Sequence, residues 1–322
     1  MATRDPRPFD VEYIENPSQP ELRELAIAHT PCVQQTAVGS INKVSRNKAR
    51  MAKYTYIIDT EDRWSHQIMD PDKARGLIER QAKYIADKGK LIAIDGYVGL
   101  GDGAFSTTWL YTPEGANIAG MQQILAFPRS DVETAEQLDA PFEPTFRLYY
   151  TPDLKLDDMP GGQAIIVDME NWTTHVMGAD YFGESKKGIL RMLNHYVYQQ
   201  GGLVLHAGAK SVTDSDGKKL TMTIMGLSGT GKTTTTFSKQ GDITEPIQDD
   251  MVALWPHGAL SITENGCFAK TDGLSLETEP VCSPQPPAPR PGSRTSSSRP
   301  MARSTSPRVC FPSRTSRAFA TF

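Results

Sequence analysis

Gly226-Leu227-Ser228-Gly229-Thr230-Gly231-Lys232-Thr233-Thr234 fits G-x-x-x-x-G-K-[ST] in full and directly follows the strand-like run Leu220-Thr221-Met222-Thr223-Ile224-Met225. The pattern has a mechanism. Its glycines let backbone N–H groups turn inward around phosphate oxygens, and a following helix N-terminus adds positive dipole. Lys232 is then placed to reach the β- and γ-phosphates, and the Thr233 hydroxyl to hold Mg2+. A glycine-rich turn without function is the competing reading, but a full match in a strand–loop–helix context argues against it. The stretch predicts a nucleoside triphosphate site in an α/β fold.

Working outward, Asp249-Asp250 stands 17 and 18 residues after Lys232, where carboxylates from a neighbouring strand can meet a divalent cation. An Asp-Asp pair alone is more often a solvated turn, and its position behind a phosphate loop turns the reading toward metal. His206 ends the run Leu203–His206, which reads as a strand; an isolated histidine is usually structural. Lys186-Lys187 opens the helix expected over 186–200, where positive charge opposes the dipole and raises the question of what anion or metal it faces.

The rest of the chain alternates helix and strand signals. Ser18 and Pro20 start a short helix carrying Leu22, Leu25 and Ala26. Strands are expected at 53–59, 91–95, 146–150 and 164–168. Asp70-Pro71 opens a helix with Ala74, Leu77, Ile78, Ala82 and Ile85 on one face and Gly89 past its end. Asp214-Ser215-Asp216-Gly217 turns the chain into the phosphate-loop strand.

Charged residues make up 22% and apolar ones 38% of the 322 residues, as in a globular protein, and no run of 18 apolar residues suggests a membrane span. The N-terminus has no apolar leader, and the four cysteines lack metal-ligand spacing, so a cytoplasmic location is expected. From Val281 to Phe322 there are seven Arg, eight Pro and nine Ser, with no Lys, Asp or Glu. Without that tail, 27 Lys and Arg face 38 Asp and Glu, a net charge of −11 that argues against nucleic acid as the partner. The tail reads as disordered. Its abrupt composition fits a non-native ending, such as a frameshift in a GC-rich gene, better than a basic anchor.

Together the stretches add up to a family. Tyr181-Phe-Gly-Glu-Ser-Lys-Lys187-Gly-Ile-Leu, Leu205-His206-Ala, the loop from Gly226 to Thr234, Asp249-Asp250 and Gly266-Cys-Phe-Ala-Lys270 resemble the ATP-dependent phosphoenolpyruvate carboxykinases. Members carry Y-x-G-E-x-K-K-G, a histidine 19 residues after its second lysine, G-L-S-G-T-G-K-T-T, an aspartate pair and G-C-Y-A-K; the interval from Lys187 to His206 is also 19. Upstream, Arg50-Met-Ala-Lys53-Tyr-Thr-Tyr56-Ile-Ile is similar to R-S-P-K-D-K-Y-I-V, and Asp95-Gly-Tyr97-Val-Gly99 to D-x-Y-V-G. Departures are Met51-Ala52 in place of Ser-Pro and Gln248 where the family has Gly.

The resemblance implies a two-domain carboxykinase fold with a mononucleotide-binding domain. The expected N-terminal substrate domain is 1–200. The nucleotide domain is 201–280, cut short relative to the family, and 281–322 is the tail. The implied reaction converts oxaloacetate and ATP to phosphoenolpyruvate, CO2 and ADP, a step of gluconeogenesis. By carry-over, Mn2+ sits on Lys187, His206 and Asp250, Mg2+ on Thr233, and ATP on Gly226 to Thr234. Lys186 and Asp249 are secondary. Arg50 grips a substrate carboxylate, and Tyr181 lines the substrate pocket. A different P-loop kinase and a non-catalytic nucleotide-binding protein or inactive fragment are the alternatives.

Overall fold

Asp70 shows how directly local chemistry sets the elements. Its carboxylate accepts the N–H groups of Asp72 and Lys73, Pro71 occupies the first helical position, and the helix ends where Gly89 takes a left-handed φ of 67°. The computed structural model describes residues 5–35, 41–47, 52–63, 65–226, 230–237, 243–269 and 308–310. Two compact units result, Met1–Val204 with Ala253–Asn265, and Leu205–Val252 with Gly266–Phe322. The segment Ala253–Asn265 thus groups with the first unit.

In the first unit the elements follow as Glu12–Glu15 (β1), Gln19–His29 (α1), Val33–Gln35 (β2), Ile41–Lys43 (β3), Thr55–Ile58 (β4), Ile68–Met69 (β5), Pro71–Lys88 (α2), Lys90–Val98 (β6), Phe105–Tyr111 (β7), Ala116–Leu125 (α3), Arg129–Val132 (α4), Ala135–Asp139 (α5), Phe146–Thr151 (β8), Ala164–Asp168 (β9), Thr173–Met177 (β10) and Phe182–Gln199 (α6). Eight strands form one mixed sheet in the order β1-β6-β7-β8-β10-β9-β4-β5. β6–β7 and β9–β10 are antiparallel, and the other neighbours are parallel. β8, β9 and β10 are buried along nearly their whole length, as central strands of a covered sheet must be, although only β9 is a near-continuous apolar run and β10 reads Thr173-Thr174-His175-Val176-Met177. α1 is fixed by a capping box between Ser18 and Glu21.

α2 lays Ala74, Leu77, Gln81 and Ile85 on the core, with Ile78 and Ala82 only half-buried. Full burial of Leu77 and Ile85 contributes about 2 kcal/mol each. Gln81 is the departure from the expected apolar stripe. Its Nε2 donates to Thr151 Oγ1 at 3.0 Å and to the carbonyls of Val176 and Tyr149 at 3.3 and 3.4 Å. With that nitrogen turned to three acceptors, Oε1 must accept, so the His175 Nδ1 at 2.7 Å carries the hydrogen. A buried amide is tolerated because its partners are built in.

Further on, Leu203–Leu205 (β11), Ala207–Thr213 (β12), Lys219–Met225 (β13), Lys232–Phe237 (α7), Thr244–Gln248 (β14), Val252–Leu254 (β15), Leu260–Ile262 (β16), Cys267–Ala269 (β17) and Arg308–Cys310 (β18) complete the described elements. A small sheet runs β11-β15-β16. The second unit contains an antiparallel sheet in the order β13-β12-β14. Asp214 Oδ1 holds the hairpin turn by accepting from the N–H groups of Asp216 and Lys218, with Gly217 at φ 79°. α7 packs on this sheet, and a Cβ at Gly208 would overlap the Thr236 hydroxyl.

Four expectations need correction. The strand expected from Lys53 starts at Thr55, because Ala52–Tyr54 forms a 3-10 turn. α6 starts at Phe182, a turn before Lys186, because Glu184 and Ser185 are buried and join the helix despite their polarity. β14, which delivers the aspartate pair, neighbours β12 and not the phosphate-loop strand β13; the short hairpin commits one edge of β12 to β13 and leaves the other for β14. Within the tail, Arg308–Cys310 pairs antiparallel with Cys267–Ala269, so these three residues are not an unstructured trail: edge N–H and C=O groups of β17 find partners there. The remaining tail lies outside the described residues.

Burial pushes the His175 imidazole down to about 4, against a small opposing effect of Asp168. The neutral form is therefore favoured by folding. Its contribution is complete above the unfolded value of about 6.5 and is lost as pH falls toward about 4, about 3 kcal/mol in all. His175→Gln should flatten the pH dependence of stability in that window. Denaturant titrations at pH 7 and pH 4.5, followed by tryptophan fluorescence, check this. The described tryptophans, Trp109, Trp172 and Trp255, belong to the first unit.

Candidate functional site

In the second unit, the β13 strand ends at Met225 and the phosphate-loop sequence begins at Gly226, where a Cβ would overlap the Thr230 hydroxyl. Gly231 takes φ 86°, a conformation that L side chains rarely adopt, and α7 starts at Lys232. Leu227, Ser228 and Gly229 lie outside the described residues. Thr234 is exposed on the first turn of α7.

The charged groups converge behind this loop. Asp250 Oδ1 lies 2.8 Å from His206 Nε2 and 3.6 Å from Lys232 Nζ, so one carboxylate oxygen is shared by two nitrogen side chains. The Lys232 side chain is largely buried, at 10% exposure, and the arrangement compensates its charge. Thr233 Oγ1 donates to Asp249 Oδ2 at 2.8 Å. The other Asp249 oxygen, Oδ1, is buried and has no hydrogen-bond partner among the described residues. An orphaned carboxylate oxygen beside a hydroxyl is a hard-oxygen donor set, which fits Mg2+. The His206 nitrogen with the Asp250 oxygen fits Mn2+. Among the described residues, no group of three His, Cys, Asp or Glu is close enough to hold a metal alone. Any such set would be completed by other donors, such as a lysine, a hydroxyl, water or phosphate oxygens.

Asp250 sits at φ 87°, two residues after the end of β14 and next to buried Asp249. For a residue with a Cβ this is strained backbone, of order 1–3 kcal/mol, and it aims two successive carboxylates at different partners. Gln248 stabilises the turn: its buried Nε2 donates to the Asp249 carbonyl at 2.8 Å. Sequence reading noticed Gln248 only as a departure from the family pattern. His206 lies between β11, which ends at Leu205, and β12, which starts at Ala207, and not within a strand.

In the first unit, Tyr181 precedes α6 and its carbonyl accepts from the Tyr150 hydroxyl at 2.9 Å. Its ring lies where a Cβ on Gly183 would stand, which explains the glycine in Y-x-G-E. Glu184 is fully buried and accepts from Arg191 Nη2 at 2.7 Å. Ser185 Oγ donates to Gln122 Oε1 at 3.0 Å and pairs with the Tyr111 hydroxyl at 2.6 Å. Lys186 sits in the second turn, beyond the strongest dipole field, and pairs with Glu264 at 2.9 Å, both nearly buried. Glu264 is distant in sequence and nothing near it marks it as a partner. Lys187, half-buried, follows on the same turn. Arg50 lies outside the described residues.

The family model described as phosphoenolpyruvate carboxykinase matches residues 11–283. The chain belongs to this family. It is 30% identical over 278 residues to the glycosomal phosphoenolpyruvate carboxykinase (ATP) of Trypanosoma brucei brucei, covering 82% of this chain and 56% of that protein. The enzyme of the same name from Geobacillus thermodenitrificans is 30% identical over 219 residues, 67% of this chain and 39% of its own length. That of Emericella nidulans is 26% identical over 283 residues, 84% and 45%. The chain thus spans about half the length of the curated relatives it matches. Carboxykinase membership accords with the mixed α/β architecture.

The strain at Asp250 is directly measurable. Asp250→Ala should be about 1–2 kcal/mol less stable than Asp250→Gly, because only glycine adopts positive φ without cost. Hydrogen exchange of β12 and β14 amides in the two variants reads the difference. Equal protection would show that the backbone relaxes freely at this residue.

Proposed function

We propose that the protein is an ATP-dependent phosphoenolpyruvate carboxykinase, converting oxaloacetate and ATP to phosphoenolpyruvate, CO2 and ADP. The observation that carries this reading is the convergence of His206 and Lys232 on one oxygen of Asp250, with the Thr233–Asp249 pair alongside. A phosphate-binding loop alone needs neither the histidine nor the strained aspartate.

Loss of CO2 from oxaloacetate leaves an enolate, whose oxygen attacks the γ-phosphorus of ATP while the β–γ bridging bond breaks and ADP departs. Both steps build negative charge, so cationic groups fixed in advance lower the barrier. Lys232 neutralises charge on the transferred phosphoryl group, and the loop N–H groups from Gly226 to Thr234 cradle the remaining phosphates. Thr233 and Asp249 would hold Mg2+, and His206 and Asp250 would hold Mn2+, with Lys187 as the third ligand. Divalent cations at these sites supply charge stabilisation to the enolate and the phosphates. For Lys187 to serve it must be the neutral amine, a state that burial and a nearby cation favour. Arg50 would grip a substrate carboxylate through its planar fork, and Tyr181 would line the substrate pocket. Lys186, held by Glu264, keeps its charge directed away from that role.

Among the described residues no helix is long and apolar enough to cross a membrane. The free, exposed Cys32 suits the reducing cytoplasm in which we place the reaction. The organisation we assign is a substrate-binding domain over about residues 1–200 and a nucleotide-binding domain beginning near 201.

Incubation of the purified chain with oxaloacetate, ATP and Mn2+ should form phosphoenolpyruvate and CO2, with ATP preferred over GTP. Lys232→Ala should lower turnover by ~10²–10³. His206→Ala should weaken the dependence on Mn2+. ATP hydrolysis indifferent to oxaloacetate would point instead to another phosphate-loop kinase.

A further inference from the structure

Asp180, just before the Tyr181 motif and outside every motif quoted above, is almost completely buried, at 3% exposure. Its carboxylate accepts two consecutive backbone N–H groups, Arg46 N at 3.0 Å on Oδ2 and Asn47 N at 2.9 Å on Oδ1. Lys43 Nζ lies 3.2 Å and Arg46 Nε 3.5 Å from the same Oδ2. The clamp is reciprocal, because the Asp180 N–H donates to Asn47 Oδ1 at 3.0 Å. Arg46 is anchored further through Nη2 to the Pro152 carbonyl and Asp153, each at 2.8 Å, and Asn47 Nδ2 reaches Gln163 Oε1 at 3.3 Å.

Such a cluster is more than a core ion pair. Burial alone would push the Asp180 carboxyl up, yet the Asn47 and Arg46 amides and Lys43 hold it below the ordinary value, so the charged form is the one built for. Two successive amides on one carboxylate fix a segment's direction as well as its position. Asp180 is also the residue directly before Tyr181, and the clamped segment ends three positions before Arg50 in the sequence. One side chain thus ties Lys43–Asn47 to the start of α6, where the carboxykinase reading sets Tyr181 against the substrate.

We infer that Asp180 is a positioning residue for the oxaloacetate and phosphoenolpyruvate end of the site, fixing Lys43–Asn47 against the start of α6 and so the placement of Tyr181. The inference rests on the carboxykinase reading. A neutral residue at 180 loses the attraction for Lys43 and Arg46 and leaves at least one amide without its acceptor. The segment then fluctuates at the expense of the substrate end, while the phosphate loop, in the other unit, keeps its own contacts.

The test is calorimetric titration of the full chain with phosphoenolpyruvate, the stable product, and separately with MgATP. Asp180→Asn should weaken phosphoenolpyruvate binding about tenfold, the loss typical of one charge-assisted hydrogen bond, and leave MgATP affinity unchanged. The Arg46 and Asn47 amides should exchange faster in that variant. Asn47→Ala, which removes the reciprocal acceptor but no charge, should act in the same direction and more weakly, and it decides the matter if Asp180→Asn does not fold. Unchanged phosphoenolpyruvate binding, or equal weakening of both ligands, overturns the role of Asp180 and leaves the carboxykinase reading standing. An unaltered chain that binds MgATP but no phosphoenolpyruvate overturns that reading, and the inference with it.

Discussion

The close approach of α6 to the central strands is the constraint on which the first unit depends. A Cβ at Gly188 would come 2.6 Å from Leu148 Cδ1 on β8 and 3.0 Å from Thr174 Cγ2 on β10. The absence of that one carbon lets helix backbone meet sheet side chains, and Thr174 Oγ1 donates to the Gly188 carbonyl at 3.0 Å. Once the helix is held this closely, Glu184 and Ser185 are necessarily buried and must find Arg191, Tyr111 and Gln122. Lys186 and Lys187, on the opposite side of the same turn, are left at the margin. The position of both lysines is therefore a consequence of a glycine and a threonine.

The second unit solves a different problem with charge. Two adjacent aspartates beside the loop lysine would repel any incoming anion if left uncompensated. They are not: His206 and Lys232 share Asp250, and Thr233 donates to Asp249. What is left over is the single dry oxygen of Asp249. In a low-dielectric setting such an oxygen carries an energetic cost, which a cation at the proposed Mg2+ site would relieve.

Much of this was legible in the sequence because the signals were local. The Asp70-Pro71 start and Gly89 stop bracket α2 within a residue, and the run before Gly226 is the strand it reads as. Failures came where a partner lies far along the chain. Nothing near Gln81 announces a buried amide, since its acceptors come from Tyr149, Thr151 and Val176. The first turn of α6 was hidden because Glu184 and Ser185 read as solvent-facing. Strand order in the second unit was misjudged because spacing along a chain does not say which edge of β12 a later strand will take. Around the phosphate loop, the motif marked Lys232 and spacing pointed to Asp250, while only the family resemblance joined His206 to them. The strained backbone of Asp250 and the supporting amide of Gln248 carry no periodic or compositional mark.

The Gln81–His175 pair has a consequence for how the first unit reaches its final state. Strands β8 and β10 can align with each other through backbone bonds alone, but the amide that spans them belongs to a helix 68 to 95 positions upstream. If α2 docked one helical turn out of place, the imidazole and the amide would both be dry and unmatched, while the aliphatic residues around them would tolerate the slip. Apolar contact gives the helix its adhesion; the polar pair gives it a single admissible seat. Docking is thereby made all-or-none, and a near-miss is penalised more heavily than no docking at all.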